Sequence, residues 1–186
     1  MGCVKLRLSR PLAPKLTTAR KNVTTDELRI NNFIDSLKLS QRMFNFGLLI
    51  SFLAIFVALK PGETENVKMP LLDINIDSKE NFILISAFFF FIVGIYMSFA
   101  IKRCCLLITK IENQELAEAA KSYPSIVNAN FLYTAIMMVS LAGVWAAAIT
   151  KAYNIQAFYA VILANIIITP YIHGARSSKK ITPTHG

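Results

Sequence analysis

Residues 81–105 read NFILISAFFFFIVGIYMSFAIKRCC, and from Phe82 to Ile101 they run twenty positions without a charge before Lys102 and Arg103 close the run. At ~1.5 Å of rise per residue such a helix reaches about 30 Å, the thickness of a bilayer's hydrocarbon core. A soluble domain has little use for a helix that is apolar all round over that length. The stretch is read as a transmembrane helix, and the remaining apolar segments as its neighbours.

Composition agrees. The 186 residues are 54% hydrophobic and yet carry a formal charge of +9, so the charges must be segregated from the apolar runs. Four spans are expected, at about 43–59, 82–101, 129–150 and 155–172, within a four-helix transmembrane domain covering 43–173. The predicted class is all-α: a polytopic membrane protein with four transmembrane helices, a cytoplasmic amphipathic helix at 24–42 and a helical stalk at 102–123. A basic arm (1–23) and a polar tail (174–186) complete the chain.

The arm contains Lys5, Arg7, Arg10, Lys15, Arg20 and Lys21 and no acid. It is expected to be flexible and to lie against anionic headgroups, where each cation is worth about 1 kcal/mol, or to bind a partner protein. Without aromatics or a fold around it, the arm gives no reason to expect direct nucleic-acid binding. A mitochondrial presequence is the other reading of a basic, acid-free start. Met1-Gly2-Cys3 suggests acylation, but Leu6 stands where the myristoylation pattern needs Ser or Thr.

Thr24 with Glu27 fits a capping box, after which Ile30, Phe33, Ile34 and Leu37 recur at helical spacing. No breaker separates them from the first span, which predicts either one long helix or a bend near Gln41 and Arg42. Lys60-Pro61-Gly62 ends it. The acidic loop at 60–80 contains an alternating run from Leu72 to Asp77, expected to pack over the helix ends and to pair with its copy in another subunit. That run is no calcium loop, since Ser78 and Leu84 stand where Gly and a bidentate Glu are needed. Asp77 with Glu80 is expected to cap the second span.

In the third span Ser140, Ala142, Gly143, Ala146 and Ala147 form the expected helix-contact or oligomer face, because small residues four apart let helices approach closely. Trp145 lies too deep for an interfacial anchor and is expected to pack inside. Asn165 is the one strongly polar residue near mid-membrane of the fourth span, expected to hydrogen-bond across the bundle. In a pore it would instead line the lumen with Thr134 and Ser140. Pro170 is expected to kink or end the last helix. Cys104 and Cys105 sit at palmitoylation depth, though cysteines there are usually small apolar packing residues.

Outside the spans, sixteen of the twenty Lys and Arg fall on the side of both termini and four on the other. The positive-inside rule then places both termini in the cytoplasm of a bacterial-type inner membrane, with an organelle membrane as alternative. Catalytic chemistry is hard to find. The spans hold no Asp, Glu, Lys, Arg or His, and the two histidines, His173 and His185, lie near the tail. No catalytic, metal or cofactor site is assigned, no cofactor is expected, and the chain is read as a non-enzyme.

In size and topology, four spans with two cytoplasmic termini and a short outer loop, the chain resembles the small membrane subunits of bacterial anti-phage systems, such as that of the Kiwa system. The resemblance involves no shared motif. It implies a homo-oligomer working with a soluble nucleic-acid-binding effector. The expected function is therefore a non-enzymatic oligomeric subunit, with the lipid bilayer and a cytoplasmic effector as partners, that senses membrane disturbance or anchors that effector. A pore-forming or channel-type effector is the first alternative, and an immunity or exclusion protein or an accessory subunit of a membrane complex the second.

Overall fold

The computed structural model describes residues 25–60, 67–69, 74–76, 78–123, 131–179 and 181. The basic arm with Lys5, Arg7, Arg10, Lys15, Arg20 and Lys21 lies outside them, as do Thr24 and Asp77. In chain order the elements are α1 (Thr25–Leu59), β1 (Val67–Met69), β2 (Ile74–Ile76), α2 (Lys79–Ile108), α3 (Gln114–Lys121), α4 (Phe131–Tyr153) and α5 (Ala157–Ser178).

Helix α1 is continuous through its 35 residues, so the amphipathic segment and the first span form one rod. No proline interrupts it, and at ~1.5 Å per residue it measures about 52 Å, well beyond the ~30 Å a span requires. Helix α2 is capped by Ser78, whose hydroxyl accepts from the Asn81 N–H at 3.2 Å; Asp77 of the expected cap lies outside the described residues. The extended backbone of Ser78 (φ −147°, ψ 156°) aims its side chain at the free amides of the first turn. Glu80 remains in that turn, where a negative charge suits the helix dipole.

The stalk comes in two pieces. Helix α2 ends at Ile108, and after a short turn Asn113 caps the eight-residue α3 by accepting from the Leu116 N–H at 3.2 Å. In the loop between α1 and α2, β1 and β2 pair antiparallel with Val67 opposite Ile76 and Met69 opposite Ile74. Residues 74–76 of the alternating run thus find a partner within their own chain. A local pairing loses less loop-closure entropy than one between separate molecules.

Asn154, at φ 50°, turns α4 into α5; Asn is among the few side chains that tolerate this left-handed conformation. Helix α5 passes through Pro170 and continues to Ser178, so proline does not end it. The ring forfeits a single ladder bond, while packing against α2 holds the helix, and the Ser98 hydroxyl donates to the carbonyl of Pro170 itself.

The four long helices close into a ring in which α1 packs on α2, α2 on α5, α5 on α4 and α4 on α1. All four are long and apolar enough to cross a membrane. Their outer faces carry large apolar side chains in the open: Phe56 is 71% exposed, Leu84 63%, Val139 73% and Phe158 70%. An apolar surface spread over every helix is unfavourable in water and natural in lipid. The protein is an all-α polytopic membrane protein.

Candidate interaction surfaces of the bundle

The centre of the bundle is aromatic. Phe90 of α2 stacks on Tyr171 of α5 with centroids 4.4 Å apart, and lies 5.2 Å from the indole of Trp145 on α4. Phe44 of α1 meets Tyr171 edge-on at 6.3 Å. The polar atoms of these rings are satisfied internally. Trp145 Nε1 donates to Ser51 Oγ at 3.1 Å, Ser51 in turn donates to the Gly47 carbonyl at 2.9 Å, and the Tyr171 hydroxyl donates to the Phe90 carbonyl at 3.2 Å. Trp145 is fully buried, the packing residue the sequence suggested.

Close helix approach occurs where sequence reasoning did not place it. A Cβ added to Gly47 would lie 2.9 Å from Tyr171 Cζ, and one added to Gly94 would lie 2.7 Å from Tyr171 Cδ2. Tyr171 therefore fits between α1 and α2 only because both positions are glycine. A signal existed in the pairs Gly47 with Ser51, Gly94 with Ser98 and Ala160 with Ala164, all small residues four apart.

The expected contact face on α4 points elsewhere. Ser140, Gly143 and Ala147 are exposed, Ala142 and Ala146 are half-buried, and a Cβ on Gly143 would meet nothing within 4 Å. Within the protomer, α4 packs through Leu141, Trp145, Ala148, Ile149 and Ala152 instead. Leu141, Trp145 and Ile149 fill most of the space between α4 and its neighbours, leaving Ser140, Gly143 and Ala147 facing outward with Ala142 and Ala146 at the edge of the core.

Asn165 makes no bond across the bundle. It is exposed, and its Nδ2 donates to the Val161 carbonyl one turn back in its own helix at 2.8 Å; Thr169 does the same to the Asn165 carbonyl. The cause is angular: Ala160, Ala164, Ile168 and Tyr171 define the buried face of α5, and Asn165 lies on the opposite side.

At the end of the bundle where the two stalk pieces meet α1, charges gather. The Asp26 carboxylate accepts from the backbone N–H groups of Glu112 and Asn113, each at 3.2 Å, and pairs with Arg29 at 3.0 Å. Arg29 also donates to the Lys110 carbonyl and lies 3.7 Å from Glu112. The stalk thus packs on the amphipathic part of α1, held by the Asp26 and Arg29 side chains. At the other end Lys79 donates to the Lys60 carbonyl, and the Tyr153 hydroxyl donates to the Glu80 carbonyl at 2.8 Å.

Cys104 and Cys105 are turned inward. Cys104 is buried with its thiol 3.6 Å from the Phe33 carbonyl, and half-buried Cys105 donates to the Ser177 carbonyl at 3.3 Å. Neither presents a thiol to the headgroups as palmitoylation would need.

Among the described residues no group of three or more His, Cys, Asp or Glu is arranged to hold a metal ion. Buried polar side chains there are all serine: Ser36, Ser40, Ser51, Ser86, Ser98 and Ser178. An apolar cleft opens between the helices, lined by Phe44, Met97, Ile101, Tyr133, Thr134, Met137, Met138 and Ala175. A lining with neither carboxylate nor amine suits an acyl chain or an apolar side chain better than a reacting polar substrate. No family model matches the chain, and no curated protein or solved structure is significantly similar to it.

Proposed function

We propose that the chain is a non-enzymatic, homo-oligomeric subunit of a bacterial-type inner membrane, with both termini in the cytoplasm, that anchors a cytoplasmic effector and reports membrane disturbance to it. A role in anti-phage defence is the process that the resemblance in size and topology suggests. The observation that carries this reading is the length of α1. About 20 Å of this helix exceeds what the bilayer needs, and the excess is fastened to the turn before α3 through Asp26 and Arg29. A displacement of the span within lipid would therefore be delivered to a charged platform carrying Lys38, Arg42, Glu115 and Glu118, to which a soluble protein can dock.

The pore reading would need a lumen between copies, because Phe90, Trp145 and Tyr171 fill the middle of the protomer.

Affinity purification of the tagged full chain in mild detergent tests the proposal. A soluble partner and further copies of the chain should co-purify, and the soluble partner should be lost when α3 is removed. Recovery of the chain alone, as a monomer, overturns it; ion leakage from liposomes containing the purified chain replaces it with the pore reading.

A further inference from the structure

The outward face of α5 holds Phe158, Ile162, Asn165 and Thr169, spaced four, three and four residues apart and all exposed. Asn165 stands eight residues after Ala157, where the helix begins, and eleven before Arg176, its first cation. At ~1.5 Å per residue it lies about 12 Å from one end of the span and about 16 Å from the other, at the centre of the hydrocarbon. The one side-chain hydrogen bond of Asn165 among the described residues uses a single amide hydrogen, on the Val161 carbonyl. The second amide hydrogen and the side-chain Oδ1 face outward, with no partner among the described residues. A carboxamide in that position is strongly favoured to find a partner on a neighbouring helix.

We propose that α5 pairs with α5 of a second copy, the Asn165 amides exchanging hydrogen bonds across a two-fold axis along the membrane normal. The occupant follows from the chemistry of the group. A carboxamide is donor and acceptor at once, so it complements itself, whereas a lone amine or carboxylate would require a partner of opposite charge. Copies inserted in the same orientation carry Asn165 at the same depth, so the symmetry that brings the helices together also brings the amides together. Phe158 and Ile162 above it and Thr169 below, whose hydroxyl is already bonded to the Asn165 main-chain carbonyl, leave Asn165 as the single polar position on the seam with bonding capacity to spare, the pattern by which one Asn fixes register and pairing in helix dimers. The assignment rests on the homo-oligomeric reading above and places the contact on α5, away from the small-residue stripe of α4.

Two measurements test it separately from that reading. In full-length chains lacking Cys3, Cys104 and Cys105, Ile162→Cys should cross-link between copies on oxidation in native membranes, whereas Val139→Cys on the exposed face of α4 should not. In the chain with its natural cysteines, Asn165→Leu should raise the dimer dissociation constant in detergent by about eight- to three-hundred-fold, the range for two interhelical hydrogen bonds lost together in an apolar medium, and Asn165→Gln by less. Cross-linking at Val139 together with an unchanged Asn165→Leu oligomer overturns the α5 assignment while the homo-oligomer stands. A monomer under every condition overturns both. Cross-linking of Ile162→Cys to a different protein overturns the assignment of a second copy.

Discussion

The indole N–H of Trp145 reaches the hydroxyl of Ser51 across the middle of the bundle, 3.1 Å away on a helix ninety-four residues earlier in the chain. Ser51 passes its own hydrogen to the Gly47 carbonyl, so the tryptophan is anchored to the backbone of α1 at the level where Tyr171 is lodged. Ser51→Ala would leave the indole N–H buried without an acceptor, at a cost of about 1–3 kcal/mol. Trp145→Phe removes donor and bulk together. A double-mutant cycle by reversible unfolding in mixed micelles should therefore show coupling of about 0.6–1.7 kcal/mol, the range seen for hydrogen bonds within membranes; additive losses would mean the contact stabilises nothing.

The two glycines Gly47 and Gly143 offer a matched comparison. Gly47→Ala drives a methyl into Tyr171, and overpacking of this kind costs about 1–3 kcal/mol. Gly143→Ala meets open space and removes backbone freedom, so it should leave protomer stability within about 0.5 kcal/mol or raise it slightly. Thermal melts of the two variants in one detergent are the check, and equal melting temperatures would contradict the packing of Tyr171 between α1 and α2.

Asp26 fastens the turn before α3 to the first turn of α1. Asp26→Ala should release the amides of Glu112 and Asn113 at a local cost of about 0.5–2 kcal/mol, comparable to losing a helix cap. Hydrogen exchange should accelerate at those two amides and through α3, while exchange within α2 and α5 stays as slow as before. Unchanged protection at Glu112 would show that Arg29 alone holds the turn.

Impermeant thiol labelling of intact cells reads the orientation. With the natural cysteines replaced, cysteines at Lys60 and Asn154 should react from outside, and cysteines at Lys110 and Lys121 only after the membrane is opened. The Lys79 to Lys60 and Tyr153 to Glu80 bonds put the first pair at one end of the bundle, and Arg29 to Lys110 puts the second at the other. Labelling of all four positions from one side would contradict the four-span arrangement.

The number of helices long and apolar enough to cross a membrane and the burial of Trp145 were legible in the chain itself. The reason is that lipid enforces one rule on every segment: backbone groups satisfied within a helix and side chains apolar for about twenty residues. Charge at the helix ends and the stop at Pro61-Gly62 belong to the same local physics. Which way each helix turns its faces was not legible, because in a bilayer both the inner and the outer face are apolar and the periodicity that separates core from surface in water is lost. Hence Asn165 could not be assigned to a side until Ala160, Ala164, Ile168 and Tyr171 were seen to occupy the interior. Gly143 and Gly47 likewise look alike in a sequence, and only the placement of Tyr171 from a distant helix made one of them indispensable. Local chemistry determined where the chain crosses the membrane; the fit of side chains between helices far apart in sequence decided what each helix presents to its neighbours and what it leaves to the lipid.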